Sequence, residues 1–314
     1  MKLVLVGTGY VGLVSGTCFA EFGLNVVCVD TDPRKIDMLN NGEIPIYEPG
    51  LDALVEKQVK AGRLSFTTDL DKALIDAKAV FIGVGTPPRP EDGHADLKYV
   101  YQAVQDIAKR IDGYAIIVNK STVPVGTARE VEQIVAKYKK PTSEIDVCSN
   151  PEFLREGAAI DDFLNPDRVV VGTNSEKAKD VLREIYKSLT DKNIPLMITS
   201  PETSEIIKYA ANAFLATKIT FINQIADLCE ASGGNVADVA KGIGLDERIG
   251  ARFLQASPGY GGSCFPKDTL ALTQTGQKLN APQTVVEAVV EANIQRQKNM
   301  AQKIIDAAGG SVEG

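Results

Sequence analysis

The amino-acid sequence predicts an α/β protein in which a doubly wound, mostly parallel sheet precedes an all-helical domain, with a long helix joining the two. Three observations carry that expectation. Short β-branched runs recur between helical patterns from residue 2 to about residue 199, the alternation that parallel βαβ units produce. The first of these runs ends in Gly7-Thr8-Gly9-Tyr10-Val11-Gly12, a glycine turn that opens a helix as dinucleotide-binding sheets require. Near residue 200 the β signal disappears and long apolar-periodic stretches replace it. The expected layout is therefore a Rossmann-like domain over residues 1–199 and a helical central domain over residues 200–314.

Strands are expected at 2–6, 25–29, 64–67, 79–84, 115–118, 146–149, 168–171 and 196–198, where β-branched and apolar residues cluster. Between them, 11–22, 33–40, 51–61, 99–110, 127–138 and 176–188 carry helical periodicity. Ser200 is suited to cap a helix whose first position is Pro201, the preferred place for proline. That helix can run through Ile206, Ala210, Phe214, Ile222, Ile225 and Cys229 to Gly233, long enough to brace two domains. A second long helix is expected over 282–308. No internal repeat or low-complexity tract interrupts the pattern.

At 314 residues, with 44% hydrophobic and 24% charged residues, the chain can bury a sizeable core. Its formal charge of −7 repels nucleic acid and anionic membranes, so neither is an expected partner. Any anionic ligand must be held locally, by backbone N–H groups, helix N-termini and a few placed cations. The five cysteines are odd in number and lack CxxC or zinc spacing, which argues against a metal site. Four of them, Cys18, Cys28, Cys148 and Cys229, sit in apolar periodic stretches suited to burial. No apolar run spans a bilayer, and Met1-Lys2-Leu3-Val4 enters a strand at once, leaving no room for a signal peptide. A reducing cytoplasmic setting is the expectation. The single histidine, His94, lies in a polar turn from Arg89 through Pro90, Glu91, Asp92 and Gly93. General-base chemistry therefore falls to carboxylates, Lys, Thr or water.

The glycine turn lets the backbone approach a pyrophosphate at a helix N-terminus. Asp30 ends the second strand, eighteen residues past Gly12, where a carboxylate accepts ribose hydroxyls. It favours NAD over NADP by repelling a 2′-phosphate, although the cations Arg34 and Lys35 lie just downstream. Three more loops leave the carboxyl ends of expected strands: Gly85-Thr86-Pro87, Ser121-Thr122-Val123-Pro124 and Asn150-Pro151-Glu152-Phe153. In doubly wound sheets those ends line the ligand crevice.

Cys264 stands apart from the other cysteines, in Gly259-Tyr260-Gly261-Gly262-Ser263-Cys264-Phe265-Pro266-Lys267-Asp268. A lysine beside it and a helix starting near Pro266 favour a reactive thiolate. Lys208 and Asn212 are one turn apart on the long helix, either as a solvated pair or as donors to a developing oxyanion. Glu152 suits a general base, or a carboxylate at a helix start. Asp268 suits a water-orienting acid, or an early-turn helix acid.

With these residues in view, the chain resembles the UDP-glucose/GDP-mannose dehydrogenase family. The matching motifs are the glycine turn, Lys120-Ser121-Thr122-Val123-Pro124, Asn150-Pro151-Glu152-Phe153-Leu154-Arg155-Glu156-Gly157, Phe253-Leu254-Gln255-Ala256-Ser257 and Gly261 through Asp268. The resemblance implies oxidation of a sugar 6-hydroxyl to a carboxylate with two NAD in succession. Lys208, with a water held by Thr122 and Asp268, would manage the alcohol proton. Cys264 would attack the aldehyde, Asn212 and Lys208 would stabilise the oxyanions, and Glu152 would activate the water that releases the acid. Gly7, Gly9, Tyr10, Val11, Gly12, Asp30, Lys35, Thr86, Ser121, Thr122, Glu156 and Lys267 would serve the cofactor. Phe153, Leu154 and Arg155 would line the substrate side together with Lys208 and Asn212. Phe253, Leu254, Gln255, Ala256 and Ser257 would hold the sugar nucleotide's diphosphate, and Gly261 would admit the sugar. Arg248 would reach a substrate across a subunit boundary, implying a homodimer through the central helices. Phe265 after the cysteine points to UDP-glucose, with GDP-mannose, a UDP-N-acetylhexosamine or a non-catalytic NAD-binding dimer as alternatives. Family members continue into a further domain of roughly 100 residues; a chain ending at Gly314 is expected to be a fragment with impaired turnover.

Overall fold

A computed structural model describes residues 1–87, 89 and 94–312. Of the polar turn expected around His94, residues Pro90 through Gly93 lie outside the described residues. The Arg89 N–H donates to the His94 carbonyl across that gap.

Eight strands form one sheet: β1 (Lys2–Val6), β2 (Asn25–Val29), β3 (Leu64–Thr67), β4 (Ala79–Ile82), β5 (Gly113–Asn119), β6 (Ser143–Ser149), β7 (Val169–Gly172) and β8 (Leu196–Thr199). Their order is β3-β2-β1-β4-β5-β6-β7-β8. Every neighbouring pair is parallel except β6 and β7, which meet antiparallel at Ser149 and Gly172. The reversal of strand order on either side of β1 creates the crevice at the strands' carboxyl ends. Side chains alternate between two cores. Leu3 and Leu5 face one apolar cluster with Phe19 and Phe81, while Val4 faces the other with Val80, Ile82 and Ile117. A sheet covered on both faces explains why its central strands are apolar at successive positions. The predicted doubly wound fold is the observed one.

The boundaries depart from the expected ones in ways that have physical causes. Strand β4 stops at Ile82 rather than residue 84, because Gly83 lies so close to the glycine turn that a Cβ there would sit 2.9 Å from the Gly12 Cα. The helix expected over 176–188 is two, Glu176–Ile185 and Lys187–Thr190, with the buried Tyr186 between them. Three short helices went unpredicted: Leu70–Leu74, Ala159–Leu164 and Val236–Gly244. Two of these start at side-chain caps, Asp69 accepting from the Lys72 N–H and Asn235 from the Ala237 N–H.

Contacts divide the chain into two compact units. The first comprises Met1–Pro87 and Ala95–Lys208; the second comprises Tyr209–Gly314 and the Pro88–His94 stretch. The division falls inside the long helix Pro201–Ser232, whose first two turns, to Lys208, belong to the first unit. Ser200 caps it as expected, accepting from the Thr203 N–H. A Cβ on Gly172 would lie 2.6 Å from the Pro201 Cα, so glycine is what lets helix and strand approach. Among the described residues, no helix is long and apolar enough to cross a membrane.

The second unit is helical. Besides the rest of the long helix it holds Val236–Gly244, Phe265–Lys278 and Thr284–Ala307. Ala216, Tyr260 and Val289 form its small apolar centre, with Ile219 and Phe265 against them.

Candidate active site

In the first unit, the glycine turn has one workable composition. Gly7 adopts φ +101°, a conformation L side chains rarely take. A Cβ on Gly12 would lie 1.9 Å from the Gly7 carbonyl oxygen, so no other residue fits there. Gly9 caps the helix Tyr10–Glu21 without a side chain, and the space beside it is open. The first N–H groups of that helix therefore face a region with room for phosphate oxygens.

Asp30 stands just past β2 with its carboxylate turned toward this turn. It accepts the Thr8 N–H at 2.8 Å, the Thr8 hydroxyl at 2.7 Å and the Asp32 N–H at 3.0 Å. Partial burial raises its carboxyl, but these donors and Lys35, 3.8 Å away, outweigh that and hold it below the usual carboxylate range. Arg34 is drawn to Asp32 at 2.9 Å. The nearer cation, Lys35, thus helps to keep the Asp30 carboxylate ionised. An open helix N-terminus, a glycine cradle and an ionised acid at the end of β2 fit a dinucleotide.

Tyr10 has a structural task that its place in the fingerprint did not reveal. Its hydroxyl donates to Glu48, a buried carboxylate that also accepts the Gly157 and Ala159 N–H groups, each at 2.8 Å. Glu48 was missed; the signal was a lone acid before Pro49-Gly50 in an otherwise apolar stretch. Two loops predicted to line the crevice are stitched together. The Thr86 hydroxyl donates to the Thr122 carbonyl at 2.9 Å, and the Ser121 hydroxyl to the Val84 carbonyl at 2.7 Å. Val11 is partly buried at the start of its helix, and Glu156 is exposed.

Glu152, Phe153 and Lys208 form one cluster. Lys208 Nζ lies 3.2 Å from Glu152 Oε1 in an ion pair whose side chains are 5% and 6% exposed. The other carboxylate oxygen accepts the Leu154 N–H at 2.5 Å. The Phe153 ring has two cations within reach, the Arg168 guanidinium at 4.0 Å and the Lys208 ammonium at 5.4 Å. The solvated reading of Lys208 and Asn212 is excluded, since both are buried. Lys120, also missed as a site residue, is buried nearby and donates to Asn150 at 3.1 Å. Burial pushes its ammonium down to about 8; Glu152 opposes that shift and Lys208 adds to it. Arg155 does not offer a free guanidinium, being paired with Asp162 at 2.5 Å.

Cys264, in the second unit, is the one half-buried cysteine; the other four of the chain are buried, as expected. It occupies the cap position of Phe265–Lys278, at the end of the helix whose first N–H groups lack intrahelical partners. Its sulfur lies 3.7 Å from the Ser263 hydroxyl, and its carbonyl accepts the Asp268 N–H at 2.9 Å. Asp268 is wholly buried, taking Asn212 Nδ2 at 2.6 Å and Lys267 Nζ at 2.9 Å. Lys267, 23% exposed, turns its ammonium to the buried carboxylate beside it.

The segment from Phe253 to Tyr260 is held in an unusual shape. Phe253 takes φ +64°, with its ring 6.3 Å from Phe265 in an edge contact. Leu254 is buried, Gln255 exposed, and Ala256 intermediate. Asn223 accepts the Ser257 N–H at 2.7 Å, Arg296 donates to the Ser257 carbonyl at 3.1 Å, and Asn293 both accepts from and donates to the Tyr260 backbone. Gly261 is exposed, with nothing near its Cα that a side chain would meet. Arg248 pairs with Asp246 at 2.6 Å and is otherwise 89% exposed.

Among the described residues, no three His, Cys, Asp or Glu side chains are grouped to hold a metal. Residues 1–190 match the UDP-glucose/GDP-mannose dehydrogenase family, NAD binding domain, and residues 202–295 match that family's central domain. The chain is 57% identical to UDP-glucose 6-dehydrogenase of Rhizobium meliloti strain 1021, over 100% of this chain and 72% of that protein. It is 51% identical to UDP-glucose 6-dehydrogenase TuaD of Bacillus subtilis strain 168, over 100% of this chain and 67% of the relative. The solved UDP-glucose dehydrogenase of Pyrobaculum islandicum superimposes with a TM-score of 0.93 at 39% identity, covering 98% of this chain and 71% of the other.

Proposed function

The chain belongs to the UDP-glucose/GDP-mannose dehydrogenase family, and from that premise we propose that it oxidises UDP-glucose to UDP-glucuronate. The observation that carries the reading is Cys264, held half-exposed at a helix N-terminus while every other cysteine is buried. The balanced reaction consumes UDP-glucose, two NAD⁺ and one water, and yields UDP-glucuronate, two NADH and three protons. Bound NAD⁺ supplies the hydride acceptor for both steps.

The chain's own residues manage everything else. Lys208, with a water held by Thr122 and Asp268, manages the proton that leaves the sugar 6-hydroxyl. The Cys264 sulfur adds to the resulting aldehyde, and Lys208 and Asn212 stabilise the oxyanion. After the second oxidation leaves a thioester on Cys264, Glu152 deprotonates the water that cleaves the C–S bond and returns the thiolate. The ion pair of Lys208 and Glu152 supports these roles by holding a cation and a base together out of water. Gly7, Gly9, Gly12 and Asp30 bind the cofactor, and the segment from Phe253 to Ser257 binds the diphosphate. Incubating the chain with UDP-glucose and NAD should give two NADH per acid formed; an equal yield from GDP-mannose or a UDP-N-acetylhexosamine would overturn the sugar assignment.

The working form is a homodimer built on the long helix. Phe214, Phe221 and Leu228 are 65%, 50% and 61% exposed and recur every seventh residue along one side. That spacing keeps a stripe of large apolar side chains facing outward, as a helix paired with its own copy needs. Phe221→Asp should convert the dimer to a monomer by sedimentation; an unchanged sedimentation coefficient would exclude this face. The five free cysteines support a reducing, cytoplasmic setting.

A further inference from the structure

Glu205 has no part in the chemistry above, yet it is 2% exposed and ties two elements together. Its carboxylate sits at the N-terminus of the helix Thr127–Tyr138. One oxygen accepts the Gly126 N–H at 2.7 Å and the other the Ala128 N–H at 2.9 Å. That helix has no cap of its own, because its cap residue is Gly126 in a left-handed conformation. The long helix therefore caps it from outside.

The segment leading to Gly126 carries Ser121 and Thr122, and its other end is fixed as well. The Lys120 and Ser121 N–H groups donate to the Ile82 carbonyl, each at 3.0 Å, and Thr86 holds the Thr122 carbonyl. Glu205 is three residues before Lys208 on the same helix, so the two lie on one face a turn apart. One turn of helix thus presents the ammonium and anchors the loop. An apolar side chain would fill the space without desolvating a charge; what the carboxylate adds is two directed bonds.

We propose that Glu205 is a positioning residue, fixing the Ser121–Thr122 loop against the turn that carries Lys208 so that the loop meets the cofactor already set. The inference rests on the reading of Ser121 and Thr122 as cofactor-binding residues. Burial pushes the Glu205 carboxyl up to about 7, against the pull of the two N–H donors; Glu202 on its own helix adds to the rise and Arg129 on the capped helix opposes it. Protonation turns one acceptor oxygen into a hydroxyl, so the clamp weakens as pH falls through that value. Stability runs the other way. Because the folded carboxyl titrates above its ordinary value, ionising it costs the fold stability, and the cost grows as pH rises from about 4.5 through about 7.

NADH titration by fluorescence tests this, in a His94→Gln background that removes the only histidine. At about pH 8, Glu205→Gln and Glu205→Asp should each bind NADH about tenfold more weakly, the effect of losing a charge-assisted bond. The parent should weaken several-fold between about pH 8 and about pH 6, and Glu205→Gln should not. Its melting temperature should also lose the decline with rising pH that the parent shows, which a side chain that merely fills space would not change. Parent-like affinity in both variants overturns the role of Glu205 alone, and parent-like affinity in Glu205→Asp overturns its positional basis. A parent that binds no NADH overturns the cofactor reading, and this inference with it. Should the variants fail to fold, the parent's own pH titration decides: an affinity flat across that range excludes the role.

Discussion

Cys264→Ser is expected to abolish UDP-glucuronate formation, lowering it by about 10³-fold or more, while NADH affinity stays within about twofold of the parent. Serine keeps the size and the place at the helix N-terminus, but an alcohol is a far weaker nucleophile than a sulfur. The chemistry divides at that point. Removal of the first hydride needs no nucleophile from the chain, so aldehyde formation can survive; thioester formation cannot. Liquid chromatography of the sugar nucleotide against NADH absorbance separates the two. Undiminished acid would end the thioester route. Intact cofactor binding with no acid would place the sulfur in the second oxidation.

Lys208→Met is the second large effect, and it acts on stability as well as on rate. Methionine keeps the length and apolar stem but leaves the Glu152 carboxylate buried without its cation, its second oxygen still taking the Leu154 N–H. Stranding one member of a buried ion pair costs about 3–5 kcal/mol, which lowers the melting temperature by roughly 10 °C in a chain of this size. NADH production should fall by about 10³-fold, since the same ammonium stabilises the developing alkoxide and the later oxyanions. Adding Glu152→Gln removes the stranded charge. The double variant should recover most of the melting temperature and none of the activity. A single variant as stable as the parent would show that the pair does not bear on the fold.

Much of the fold was legible because both faces of the sheet are covered. Apolar runs such as Ala79–Ile82 and the core of Gly113–Asn119 need no partner to be recognised. The helices Pro33–Asn40 and Thr127–Tyr138 have the bounds expected of them, the first behind an Asp32 cap and the second after Gly126. The antiparallel contact of β6 and β7 was not legible. It rests on one residue pair, Ser149 with Gly172, and nothing local announces strand direction. In the candidate site, the close packing of Gly12 and the place of Asp30 just past β2 could be read because both follow from backbone geometry and spacing. Glu48 and Glu205 could not, because each is a single buried acid whose donors lie far along the chain. Asn293 and Arg296 left a trace that went unread. With Val286 and Val289 they are the buried positions of the last long helix, at alternating spacings of three and four. Polar residues in such a stripe mark a helix face that holds a loop's backbone, here at Ser257 and Tyr260.

The Glu48 latch bears on how the molecule is made. Its carboxylate joins backbone donors 109 and 111 residues further along, at Gly157 and Ala159. A nascent chain leaving the ribosome exposes Tyr10 and Glu48 long before those donors exist. Closing so large a loop is unfavourable until the intervening strands have paired. The rim of the dinucleotide pocket is thus among the last parts of the first unit to lock, and a chaperone has the longest access to that edge.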